Sequence, residues 1–131
     1  MGYLLDTHTI LWVLENDKKL SSNARQVIED IQKDCFISIA SLFEIAIKRK
    51  IGKLELSQNI EAYTIEIVRI GIKILPISPT HLEAYDQIPM NLEHRDPFDR
   101  LLIATAFAEN LIVITDDDKF KWYNYFVQTL W

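Results

Sequence analysis

With Cys35 as its only cysteine, this 131-residue chain cannot form an intramolecular disulfide, so its stability must come from a packed core. The setting Cys35-Phe36-Ile37-Ser38 reads as a buried core thiol rather than a nucleophile. No apolar run approaches the length needed to cross a bilayer, and neither a basic leader nor a cleavage signal opens the chain, so a soluble cytoplasmic protein is expected. No zinc-ligand spacing connects His8, His81 and His94. Internal repeats, low-complexity tracts and linkers are absent, which predicts one domain over residues 1–131. Positive charge is also scarce: 14 Lys and Arg against 19 Asp and Glu give a net charge of −5. Taken at face value this argues against a nucleic-acid binder, because phosphate neutralisation supplies most of such binding. Distribution matters more than the sum. If several acids gather on one cation the remaining surface is nearer neutral, and Lys48-Arg49-Lys50 with Lys53 forms a basic segment. The same segment reads equally well as a helix end whose cations complement the macrodipole.

What is present is organised around residues 94–118. Asp96 can cap a helix and Pro97 suits its first position. The residues from Phe98 to about Asn110 are apolar nearly all round, which requires burial. Leu111-Ile112-Val113-Ile114 follows without alternation, as in a strand covered on both faces, and runs through Thr115 into Asp116-Asp117-Asp118. Acids at the carboxyl end of a buried strand are how an open α/β sheet presents a site.

Earlier in the chain, Tyr3-Leu4-Leu5 is a short buried strand ending at Asp6, with Thr7 or Thr9 as the cap of a helix bearing Ile10, Leu11, Val13 and Leu14. Ser21 or Ser22 starts a second helix with Ala24, Val27, Ile28 and Ile31 at helical spacing, and Cys35 to Ile37 is the second strand. Ser41-Leu42-Phe43-Glu44 has the form of a capping box opening a helix that ends near Gly52. Ser57 begins a helix stopped by Gly71, Ile72 to Leu75 is the third strand, and Ser78-Pro79 starts a short helix. Tyr125-Phe126-Val127 reads as an edge strand. Strands alternating with helices predict an α/β fold with a mostly parallel sheet and helices on both faces.

Four acids stand out: Asp6 and Asp117 after buried strands, and Glu44 and Asp99 in the first turns of helices. In a parallel sheet these positions share one edge, so acids far apart in sequence can meet there. Clustered carboxylates repel unless a cation joins them, and oxygen ligands with retained water suit Mg²⁺ or Mn²⁺. Each acid also has a plain structural role open to it. Glu44 can complete a capping box and Asp99 can serve a helix end, while two of the three acids at 116–118 serve as solvated or capping groups. Asp6 is harder to explain structurally, since a carboxylate after a short buried strand gains little there. His81 reads as a helix-surface residue and His94 as a loop residue. Trp12, Phe43 and Trp122 read as core or partner surface rather than base-stacking platforms.

The stretches Tyr3-Leu4-Leu5-Asp6-Thr7-His8, Ser41-Leu42-Phe43-Glu44-Ile45, Asp96-Pro97-Phe98-Asp99-Arg100-Leu101-Leu102-Ile103-Ala104-Thr105-Ala106 and Val113-Ile114-Thr115-Asp116-Asp117-Asp118-Lys119-Phe120 together resemble the successive motifs of PIN domains. Within these, the chain is similar to VapC-type toxins of toxin–antitoxin pairs, over nearly its full length. The resemblance implies a three-layer α/β/α sandwich that gathers acids around Mg²⁺ or Mn²⁺ and cleaves RNA, leaving 5′-phosphate and 3′-hydroxyl ends. It also implies a homodimer and a VapB-like antitoxin partner that blocks the site, operator DNA being bound only through that complex. Asp6, Glu44 and Asp99 match the first three acids; the Thr-x-Asp-x-x-Phe spacing selects Asp117 as the fourth, with Asp116 the alternative. Asp96 is taken as a cap beside the site, and His8 stands where the family often has a small polar residue.

The mechanism that follows is metal-assisted phosphodiester hydrolysis, with Asp6 and Asp99 on the metal and Glu44 and Asp117 holding its waters. One rival is a catalytically silent interaction domain. A haloacid-dehalogenase-type phosphatase is another, but it wants a second aspartate where His8 stands. A receiver-type switch lacks its paired acid. For the antitoxin, Trp12, Ile47, Ile51, Leu54 and Leu56 form either an apolar groove or part of the core.

Overall fold

Tyr3–Leu5 makes a strand of only 3 residues, and it holds because both of its faces are covered. Leu4 points into a cluster with Leu102, Ile103, Val113 and Phe120, while Tyr3 and Leu5 point into another with Ile10, Ile37, Ile67 and Ile114. The computed structural model describes residues 2–131. In chain order it contains β1 (Tyr3–Leu5), α1 (Thr7–Glu15), α2 (Ser22–Glu29), β2 (Cys35–Ser38), α3 (Ile39–Lys50), α4 (Ile60–Arg69), β3 (Lys73–Leu75), α5 (Pro79–Gln87), α6 (Pro97–Glu109), β4 (Ile112–Ile114), a 3-10 helix (Asp118–Tyr123) and β5 (Thr129–Leu130).

The sheet order is β3-β2-β1-β4-β5, and every pairing between these strands is parallel. Core residues of α1 to α4 pack on one face and those of α5, α6 and the 3-10 helix on the other. This is the three-layer α/β/α sandwich the sequence predicts. The chain winds outward from β1 to β3, then returns across the sheet to β4 on β1's free side. The order therefore reverses between β1 and β4, and in open α/β sheets the crevice at the carboxyl end of such a point is where ligands bind.

Several boundaries differ from the sequence reading for identifiable reasons. Asp6, rather than Thr7 or Thr9, caps α1 by accepting the Thr9 N–H. Ser38 caps α3, so Ser41 and Glu44 lie inside that helix and form no capping box; β2 runs one residue further than expected and the helix follows it with no loop. Asn59, not Ser57, caps α4, and Gly71 with φ +93° turns the chain out of it into β3. Ile31 falls beyond α2 and is 96% exposed, so the helical spacing stops at Ile28. The tail strand is Thr129–Leu130 rather than Tyr125–Val127, because residues 118–123 coil into the 3-10 helix first. Tyr125 is exposed while Val127 is buried. His81 is buried, not on the surface: its Nδ1 accepts the Ser78 N–H and its Nε2 meets Glu109 at 2.8 Å, tying α5 to α6.

Trp12, Leu54 and Leu56 pack against the core and only Ile51 of the expected groove is exposed, so those residues serve mainly as core. Cys35 is buried, and that burial pushes its thiol up to about 11, with Asp34 and Asp30 adding to it. Among the described residues no helix is long and apolar enough to cross a membrane.

Candidate active site

Asp6 stands at the reversal point because β1 ends one residue before it. Its N–H donates to Ile114 O of β4 at 3.1 Å, and Thr9 Oγ1 donates to the same carbonyl at 3.0 Å. The Asp6 side chain is 5% exposed, yet both its oxygens are engaged: Oδ1 accepts the Thr9 N–H and Oδ2 accepts the Thr115 hydroxyl. A carboxylate has about four acceptor positions, so these bonds leave room for a cation. Burial raises its pKa, against the opposing effect of the Thr115 and Thr9 hydrogen bonds and of His8. The expectation that Asp6 gains little structurally is thus corrected, because it is the α1 cap.

From Asp6 the contacts spread in two directions. Thr115 Oγ1 accepts the Asp117 N–H at 3.0 Å, and Asp117 in turn caps the 3-10 helix. Asp116 is exposed and has no side-chain partner among the described residues. On the other side, Thr7 Oγ1 donates to Glu44 Oε1 at 2.6 Å and lies 3.0 Å from Ser41 Oγ. The threonine has one proton to give, so Ser41 is the donor to Thr7. Glu44 is buried inside α3, where its Oε2 pairs with Lys48 Nζ at 3.1 Å. Lys48 belongs to the basic last turn of the helix, so the basic segment both complements the helix end and neutralises a site acid.

Asp99 sits in the first turn of α6, whose cap Asp96 accepts the Phe98 and Asp99 N–H groups. Its carboxyl is pushed up to about 6, chiefly by burial and further by the charges of Asp96 and Glu44, against a lowering hydrogen bond from His94. Phe43 and Phe98, with ring centres 6.0 Å apart, span the gap between α3 and α6.

His94 was legible only as a loop residue, but the structure buries it and sets its Nε2 2.9 Å from Asp99 Oδ2. Thr7, Ser41 and Thr115 were likewise missed as partners of the acids. The available signal was a hydroxyl within three residues of Asp6, Glu44 and Asp117: Thr7, Ser41 and Thr115. His8 is exposed, and Trp122 is half exposed with its ring edge-on to His94.

All four predicted acids lie toward the carboxyl edge: Thr115 joins Asp6 to the Asp117 turn, Thr7 next to Asp6 binds Glu44, and the side-chain partner of Asp99 is His94 rather than any of the other three acids. Among the described residues, however, no three His, Cys, Asp or Glu groups stand close enough together to hold one metal ion by themselves. The all-oxygen donor set still fits a hard divalent cation in its chemistry. Mg²⁺ in particular keeps most of its waters and takes one or two carboxylates plus substrate phosphate rather than a full protein cage. A cavity of about 530 Å³ lies at the opposite edge beside Cys35 and Ile72 and is lined by none of the four acids. A smaller cleft of about 260 Å³ beside Thr7, His8, Lys48 and Lys53 adjoins the acid edge.

A doubly wound parallel sheet with buried acids at its reversal point defines an α/β domain built to bind a ligand at its carboxyl edge. The chain belongs to the PIN domain family, whose model matches residues 3–124. A comparison with curated proteins finds no match. Among solved structures, the chain is similar to VapBC2 from Rickettsia felis bound to a DNA fragment from its promoter, with 20% identity, TM-score 0.73, and 99% of this chain and 98% of that chain covered. It is also similar to DNA-bound VapBC from Salmonella typhimurium, with 16% identity, TM-score 0.72 and coverage of 99% and 97%. VapBC-1 from nontypeable Haemophilus influenzae follows with 22% identity, TM-score 0.67 and coverage of 99% and 97%. At these identities the likeness concerns the fold.

Proposed function

We propose that this protein is a divalent-metal-dependent endoribonuclease and the toxin of a toxin–antitoxin pair. The observation that bears most on this is Asp6: a buried carboxylate at the reversal point of the sheet, joined through Thr115 to the Asp117 turn and flanked by the Thr7–Glu44 pair. In this reading Asp6 and Asp99 hold Mg²⁺ or Mn²⁺ directly, and Glu44 and Asp117 orient water around it. When bound, the ion supplies Lewis acidity toward a scissile phosphate and eases deprotonation of water. The protein's own contribution is to fix the carboxylates. Thr9 and Thr115 hold Asp6, Thr7 and Lys48 hold Glu44, and the amide of Lys119 holds Asp117 Oδ1. The complexes named among the similar structures support a VapB-like antitoxin as the partner, with DNA bound through the complex.

The direct test is incubation of the purified protein with a structured RNA pool, with and without Mn²⁺, followed by mapping of the ends. Cleavage that needs the metal and leaves 5′-phosphates is expected; metal-independent cutting or intact RNA with bound Mn²⁺ would count against the reading. A silent interaction domain would bind the partner without cutting RNA.

The raised Asp99 carboxyl gives this reading a pH signature. In the metal-free protein the folded state favours protonated Asp99, so this group's contribution to stability is full below pH 4 and is lost as pH rises to about 6. Metal binding needs the carboxylate and runs the other way. Calorimetric Mn²⁺ affinity should therefore weaken by about tenfold between pH 7 and pH 5, with the bend near 6. An affinity flat across that interval would contradict a role for Asp99 as a ligand.

A further inference from the structure

We infer that His94 is a positioning residue that aims the Asp99 carboxylate, held in turn by Tyr123 and the buried guanidinium of Arg100; this rests on reading Asp99 as a metal-holding group. Arg100 Nη1 lies 3.4 Å from Tyr123 Oη, Tyr123 Oη lies 3.0 Å from His94 Nδ1, and His94 Nε2 lies 2.9 Å from Asp99 Oδ2. The donor directions along this row follow from the groups themselves. Arginine can only donate, and an ionised carboxylate can only accept. His94 therefore gives its Nε2–H to Asp99, which leaves Nδ1 as an acceptor for the Tyr123 hydroxyl, whose oxygen accepts from Arg100. All three arrows point toward the site. His94 O, 3.4 Å from Tyr123 Oη, is a competing acceptor for the same proton, and Nδ1 at 3.0 Å is the nearer one.

The row is built into the core rather than laid on the surface. Arg100, Tyr123 and His94 are 2%, 3% and 3% exposed. The guanidinium also donates to Ile88 O and Pro89 O and lies over the rings of Tyr85 and Tyr123. The His94 ring is walled by Phe120, Trp122 and Tyr123, so it has little freedom to turn. One oxygen of Asp99 is consequently fixed by a rigid donor, while Oδ1 has no hydrogen-bond partner among the described residues and is the oxygen left for a cation. Partners of this kind behind a metal ligand fix its orientation, and losing one costs 10- to 100-fold in metal affinity as a typical figure.

The test combines Mn²⁺ calorimetry with nitrogen-resolved NMR of the His94 ring in metal-free protein. In the wild type the ring proton should reside on Nε2 and exchange slowly with solvent. Tyr123→Phe keeps the packing of the ring, so its fold should survive, but it should lose that protection. His94→Ala should weaken Mn²⁺ binding by about 10- to 100-fold, and His94→Gln, which restores a donor toward Asp99, should recover most of the loss. A ring proton found on Nδ1, protection unchanged in Tyr123→Phe, or an unaltered Mn²⁺ affinity in His94→Ala would overturn the inference. A wild-type protein that takes up no Mn²⁺ sinks the ribonuclease reading instead, and the NMR arms then still decide whether the relay exists.

Discussion

Asp6→Asn is expected to lower Mn²⁺-dependent RNA cleavage by about a thousandfold while leaving the metal-free protein as stable as before, or more so. The two halves of this expectation have separate causes. Asparagine ranks with aspartate as a helix cap, so its side-chain oxygen can still accept the Thr9 N–H that starts α1. Its amide can meet Thr115 as well. What disappears is the negative charge, which burial at the sheet's reversal point disfavours. A carboxyl whose pKa is raised in the folded state costs stability as pH rises above its ordinary unfolded range, so replacing the ionisable group relieves the metal-free protein at neutral pH. Single-turnover cleavage with Mn²⁺ and a thermal melt in chelator measure the two halves. Cutting at the wild-type rate would remove Asp6 from the site, and a melting point several degrees lower would show that its charge serves the fold.

Arg100→Ala should cost about 3–5 kcal/mol of stability, which lowers the melting midpoint by roughly 10–20 °C for a domain of this size. The residue is a nearly fully buried cation with no acidic partner among its hydrogen bonds. It is held by the carbonyls of Ile88 and Pro89 just after α5 and by two aromatic faces. Truncation leaves a cavity and strands those two carbonyls, so the cost adds transfer, void and unmet hydrogen bonds. Arg100→Lys should recover little of it, because one ammonium cannot span both carbonyls and lie flat between Tyr85 and Tyr123. Urea denaturation of the three proteins measures this. A lysine variant within about 1 kcal/mol of the wild type would mean that charge alone suffices there and that the fork geometry is dispensable.

How much of this was legible in the sequence depends on how local each signal is. The cap at Asp96, the proline start of α6 and the unalternating β4 run are written in adjacent residues, and all three appear as expected. The parallel direction of the sheet follows from the alternation of strands and helices, and the acids' common edge follows from that direction; the strand order itself comes from the structure. Legibility fails where a residue's role is set by something far away in the chain. Glu44 looks like the end of a capping box until Ser38 takes the cap and Thr7, 37 positions upstream, takes its oxygen. His94 looks like a loop residue until Tyr123, 29 positions on, closes over it. His81 looks exposed until Glu109 reaches it from α6. The 3-10 turn that displaced the tail strand depends on Phe120 finding the core beneath α6, which no run of neighbouring residues announces.

The uniform strand direction has a practical side for anyone attaching this protein to a surface or a reporter. Tyr3 enters the middle of the sheet from the amino edge, whereas Leu130 leaves β5 on the carboxyl edge and Trp131 rests against Trp12. A tether joined ahead of β1 therefore emerges on the side away from Asp6, while one joined after Trp131 shares the side of the acids and would compete for space with any ligand bound there.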